Sequence, residues 1–81
     1  MAFDSTCQIR RACINGNGQA QLDLKADDNT FDWNWFVSST DHAREVLAAA
    51  LTAIATNKRV FCTINDPVKA WSQVINFGVV K

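Results

Sequence analysis

From Thr40 to Asn57 the chain reads TDHAREVLAAALTAIATN, and Ala43, Val46, Leu47, Ala50, Leu51 and Ile54 recur at helical spacing. That spacing gathers them into one apolar stripe and predicts a helix over 40–57. Ser39 or Thr40 is placed to cap its first free N–H groups, and Asp41 puts negative charge at the positive end of the helix dipole. Asn57 is placed to close it in the left-handed conformation, with Lys58 and Arg59 near the negative end. The opposite face carries Glu45, Ala48, Thr52, Ala55 and Thr56, with no charge between Val46 and Thr56. Either alanine fills solvent-facing positions because of its helix propensity, or the small side chains form a second contact surface, which implies an oligomer.

Around the helix the period changes to two. Phe3 to Asn15 reads as a first strand, with Cys7, Ile9 and Cys13 on one face and Gln8, Arg10, Ala12 and Ile14 on the other. Arg11 interrupts the apolar face, which points to a bulge or an edge position there. Asn15-Gly16-Asn17-Gly18 is a turn, because Asn and Gly tolerate positive φ. Gln19 to Ala26 alternates cleanly, with Ala20, Leu22, Leu24 and Ala26 inward, and Asp27 to Thr30 forms a second loop. In a third strand, Phe31 to Val37, Phe31, Trp33, Trp35 and Val37 face one way and Asp32, Asn34 and Phe36 the other. After the helix, Val60, Cys62 and Ile64 share a face of a fourth strand. Asp66-Pro67 makes a turn, since Pro67 cannot continue a ladder. Trp71, Gln73, Ile75, Phe77 and Val79 share a face of the last strand.

Three meandering strands, a helix and two more strands is the order of the OB-fold, a five-stranded antiparallel Greek-key barrel with its helix between strands three and four. A closed barrel also suits a domain of this size, because it removes exposed edges. The alternative is an open antiparallel sheet with the helix packed across one face.

The 81 residues make one domain, 1–81, and the eight Lys+Arg balance eight Asp+Glu. The basic residues are scattered, which argues against a general nucleic-acid binder. Zero net charge also gives little protection from self-association. No run of apolar residues is long enough to cross a membrane. The opening MAFDSTCQ has neither a basic start nor an apolar h-region. Two compartments fit it: the cytoplasm, or a secreted or periplasmic location for a mature chain with an added initiator Met. Cys7, Cys13 and Cys62 lack CxxC spacing and the single His42 lies on the helix, so neither a metal nor another cofactor is expected. One disulfide with one free thiol fits an oxidising compartment, and three buried thiols fit a cytosolic protein.

Nothing in the sequence resembles a nucleophile elbow, a phosphate loop or a metal-ligand cluster, so no catalytic residue is expected and the chain reads as a non-enzyme. Asp41 with His42 reads as polar decoration of a helix start, and Asp27 with Asp28 as a solvated loop tip. Binding has more to support it. Trp33, Trp35 and Trp71 are many tryptophans for so short a chain. Alternation assigns at least one of the strand-three pair to the core, and an exposed one would offer a flat face to a sugar ring or a nucleobase. Asp32, Asn34, Ser38 and Ser39 could supply hydrogen bonds beside them. OB-folds bind ligands on strands two and three, between the first hairpin loop and the loop joining strands four and five. That rule adds Asn15, Asn17, Asn65, Asp66 and Lys69 as rim residues.

The stretch FDWNWFVSSTDHAREVLAAALTAIATNKRVFCTINDPVKAWSQVINFGVV, residues 31 to 80, resembles the receptor-binding B subunits of bacterial A–B toxins, the cholera, Shiga and subtilase-cytotoxin group. In those subunits an aromatic strand leads into a long helix, a short turn, a cysteine-bearing strand, a polar loop and a hydrophobic final strand. Ala55 to Val60 is similar to their helix exit, and Cys62 to the disulfide cysteine after it. Their partner cysteine lies near the N-terminus, which makes Cys7 the better match and Cys13 the alternative. The resemblance implies a homo-oligomeric ring, usually of five subunits, with helices lining a pore, an outer face that binds a glycan or glycoprotein, and an A-type subunit as partner. The uncharged face of Glu45, Ala48, Thr52 and Ala55 agrees with helices packed in such a ring. The reading is a non-enzymatic oligomeric glycan-binding module. A single-stranded nucleic-acid-binding OB-fold and a purely structural oligomerisation domain are the alternatives.

Overall fold

The computed structural model describes residues 3–65 and 68–80, so the Asp66-Pro67 turn and the rim residue Asp66 lie outside the described residues. The elements run β1 (Phe3–Ile14), β2 (Ala20–Ala26), β3 (Asn34–Val37), α1 (Ala43–Thr56), β4 (Val60–Ile64) and β5 (Val74–Val79). The strands form one five-stranded sheet in the order β3-β2-β1-β4-β5, every adjacent pair antiparallel. The helix lies against β1, β5 and β2.

Among the described residues the sheet does not close into a barrel. The outer strands approach each other at one point, where Val37 makes an isolated parallel bridge with Gln73. There the Val37 N–H donates to the Ser72 carbonyl at 3.2 Å, and the Trp71 N–H donates to the Trp35 carbonyl at 2.7 Å.

The hairpins follow their turn residues. Asn15 Oδ1 accepts the N–H groups of Asn17 and Gln19 at 2.9 and 3.1 Å, and Gly18 takes φ 78°. In the next loop Asn29 takes φ 66°, and Asp28 Oδ1 accepts from the Thr30 hydroxyl and N–H. The Thr30 hydroxyl first, and then its N–H, hold the Asp28 carboxyl below the ordinary range.

A bulge does sit in β1, and it changes the face assignment. The register slips between Ile9 and Arg11, so Ala12 pairs with Leu22 and Ile14 with Ala20, on the core side with Ile9. Cys13, expected beside Cys7, is turned to the other face and exposed. The extra residue shifts the alternation by one.

Ala20, Leu22, Leu24 and Ala26, with Val60, Cys62 and Ile64, are buried as the alternation predicted. In and before β3 the aromatic residues sort differently. Phe36 is fully buried, and Phe31 joins it edge-to-face at 4.9 Å and meets Phe3 at 5.0 Å. Trp33 and Trp35 therefore stand outside this cluster, contrary to the expectation of a core tryptophan. In β5 a second register shift puts Val74 in the core and leaves Ile75 exposed, so the predicted common face of the last strand is not kept.

The helix begins at Ala43 rather than Thr40. Its N-cap is His42, with no side-chain cap, so neither Ser39 nor Thr40 serves. Ser38 is instead buried, its hydroxyl accepting the Ala20 N–H at 3.0 Å and donating to the Ser39 carbonyl, which ties the end of β3 to β2. Asn57 closes the helix at φ 55°, as expected. The buried helix residues are Ala43, Ala50 and Ala53, whereas Leu51 of the predicted stripe is 50% exposed. Small residues face the sheet because they let the helix backbone sit close to it.

Candidate functional site

The face of β1, β2 and β3 turned away from α1 holds a layered cluster. Regular strand geometry would send Arg10 and Arg11 to opposite faces, but the bulge brings both to Asp23. Arg10 Nε lies 2.6 Å from Asp23 Oδ2, and Arg11 reaches the same oxygen through Nε at 3.0 Å and Nη2 at 2.9 Å. Asp23 is only 2% exposed, so its charge is held inside a protein surface and needs this pairing. The arginines themselves are largely in solvent.

Each guanidinium also lies on a tryptophan. Arg10 sits 4.4 Å from the ring centroid of Trp33, and Arg11 4.9 Å from that of Trp35. Trp35 faces Asp23 in the β2–β3 register, which explains why Arg11 finds both. Trp71 then lies parallel to Trp35, with ring centroids 6.4 Å apart and planes within 6°. The order from inside outward is Asp23, Arg11, Trp35, Trp71.

Trp71 is 56% exposed and takes φ 71°. The left-handed region is costly for a bulky side chain, and such strain persists where surrounding contacts impose it. Here the Trp71 N–H is held by the Trp35 carbonyl. A turn fixes its flanks, with the Lys69 carbonyl accepting the Ser72 N–H at 3.1 Å and Ser72 Oγ accepting the Lys69 N–H at 3.2 Å.

The structure thus brings together Trp33, Trp35 and Trp71, with Lys69 in the turn that presents Trp71. Asn65 is exposed, its N–H donating to the Gln73 carbonyl at the base of the same loop. Asn34 pairs with Leu24 on the core-side row, so it is on the other face from Trp33 and Trp35. The Asn15 side chain holds its hairpin, donating also to Gln19, and Asn17 is an exposed turn residue. Neither has a described contact with the tryptophans. Asp23 was not among the residues expected in the site from the sequence, and Arg10 and Arg11 entered, with Lys25 and Lys69, only as a basic groove that would favour nucleic acid. The signal was present, since Asp23 is the single acidic residue of β2, set between two buried leucines, and Arg10-Arg11 is a dibasic pair at the suspected bulge.

The three cysteines are free thiols. Cys7 and Cys62 are both buried on the core side, and Cys13 is on the opposite face. On the helix, Glu45, Ala48, Thr52 and Ala55 are all exposed. Among the described residues no helix is long and apolar enough to cross a membrane.

Compared with protein families, curated proteins and solved structures, the chain matches none.

Proposed function

We propose that this chain is a non-enzymatic binding module that stacks a sugar ring on Trp71 and acts as an oligomer assembled through the exposed face of α1. The observation that carries the first half is Trp71 itself: a large indole held in solvent on strained backbone, aligned with a second tryptophan. Neither exposure nor strain helps folding, whereas a flat apolar face with hydrogen-bonding groups around it suits a pyranose ring. Sugar is favoured over nucleic acid because Arg10 and Arg11 turn their charge onto Asp23 and the chain has zero net charge.

The OB-like reading of the fold belongs to this proposal. Its support is the strand order β3-β2-β1-β4-β5 together with the Val37–Gln73 bridge, which brings the two outer strands towards each other. Trp35 then lies on strand three, Trp33 just before it and Trp71 in the segment between strands four and five, the region where OB-folds carry ligands.

The oligomer is supported by the chemistry of the helix face. The hydroxyls of Thr52 and Thr56 donate to the carbonyls of Ala48 and Thr52, at 2.9 and 2.7 Å. Beyond Glu45 the face therefore offers methyl groups, beside a half-exposed Leu51. A ring of five with an A-type partner is what the toxin resemblance adds.

A glycan array probed with purified protein, with sedimentation in parallel, tests both halves. Retention of defined glycans that Trp71→Ala abolishes, by a species heavier than one chain, is the expected result. The stacked guanidinium and indole groups favour one second reading, single-stranded nucleic acid. Binding of an oligonucleotide that weakens steeply with salt, with an empty array, would establish that reading instead.

A further inference from the structure

We propose that Asp23 is a positioning residue for the tryptophan platform: through Arg11 it fixes Trp35, and through Trp35 it fixes Trp71. Two adjacent arginines repel each other and would extend into solvent. What draws both inward is the single buried oxygen Oδ2, reached by Arg10 at 2.6 Å and by Arg11 at 3.0 Å. A guanidinium resting on a half-buried indole such as Trp33 or Trp35 is held only modestly by that contact alone, and ordering so long a side chain opposes it. The carboxylate supplies the missing restraint, because a charge-assisted hydrogen bond is shorter and stronger than a neutral one.

The bulge makes the arrangement possible. It places one guanidinium over Trp33 and the other over Trp35, both anchored at one point between β1 and β2. With Asp23 neutral, Arg11 is released, Trp35 loses the group lying against it, and Trp71 loses the fixed ring to which it is parallel. Asp23 touches no ligand in this scheme. Its part in binding rests on the ring-stacking reading of Trp71, but its part in the geometry does not.

The test is Asp23→Asn, which keeps the shape and removes the charge, alongside Arg11→Met, which keeps the chain length and removes the anchor. Near-ultraviolet circular dichroism reads the fixed tryptophan pair, and the urea midpoint reports on the fold. The expected result is loss of the tryptophan near-ultraviolet bands in both variants while a cooperative urea transition remains. On the glycan array, retention should be lost in step with those bands. If Asp23→Asn does not fold, Arg11→Met decides, since Arg11 is a surface side chain. Near-ultraviolet spectra of the folded variants that superimpose on the wild type would overturn the proposal. An array empty for the wild type would overturn the sugar reading and leave the spectra to decide on Asp23.

Discussion

Cys62 is the diagonal neighbour of Cys7 on the core face of the sheet, Cys7 standing opposite Val60 and Ser5 opposite Cys62. Both are fully buried, while Cys13 is exposed. One thiol, Cys13, should therefore react quickly with iodoacetamide, and the other two only after unfolding. The Cys7–Cys62 bond that the toxin resemblance implies would join these two buried positions, which carry free thiols here. Alkylation and intact mass check this, and rapid labelling of all three thiols in the folded protein would count against the buried pair.

The same pair makes stability fall at high pH. The hydrogen bond with Cys7, then burial and the nearby Cys7 charge, push the Cys62 thiol far above its ordinary value of 9.0. Because the folded value is the higher one, the folded state keeps a proton that the unfolded chain releases. The stability contributed is fully present below about pH 9 and is lost progressively as pH rises above it. Urea midpoints between neutral pH and pH 10.5 should fall, and the fall should be smaller in Cys62→Ala.

At Trp71, Gly and Ala substitutions should differ although both remove the indole. Glycine adopts φ 71° freely and alanine does not. Trp71→Gly should be the more stable of the two by about 1–2 kcal/mol, measured by urea unfolding, and both should fail to bind. Equal stabilities would mean that the left-handed backbone is not kept in solution.

Leu51→Ala should cost little, within about 0.5 kcal/mol for an exposed helix position, because Leu51 is half in solvent. Ala53→Leu should cost about 1–3 kcal/mol by overpacking a sealed contact. The predicted stripe would require the opposite ranking, so thermal or urea unfolding of the two variants separates the two helix orientations.

Ala48→Arg and Thr52→Arg should lower the mass found by sedimentation while leaving the circular dichroism of the fold unchanged. In a monomer such exposed changes stay within about 0.5 kcal/mol. A wild type that sediments as one chain at every accessible concentration would end the oligomer proposal.

The order of elements was legible in the chain because it depends on local rules. The alternation of Ala20, Leu22, Leu24 and Ala26, the Asn-Gly turn, the helical spacing after Asp41 and the closure at Asn57 each follow from backbone geometry and short-range sterics. What depended on contacts distant in sequence was not legible. The slip at Arg10 turned Ala12 and Ile14 to the core side of the sheet, where Ala12 is partly buried and Ile14 still half exposed, and turned Cys13 away, since one extra residue reverses every later side chain. Phe36, and not Trp33 or Trp35, is the buried aromatic of this segment, and the partly buried Phe31 links it to Phe3, some thirty residues away. In the helix Ala43 and Ala50 of the predicted stripe are buried as expected, but Ala53 joins them in place of Leu51, which is half in solvent. The cluster of Asp23, Arg10, Arg11, Trp35 and Trp71 joins three strands and a loop, and only the sheet register puts those side chains within reach of one another.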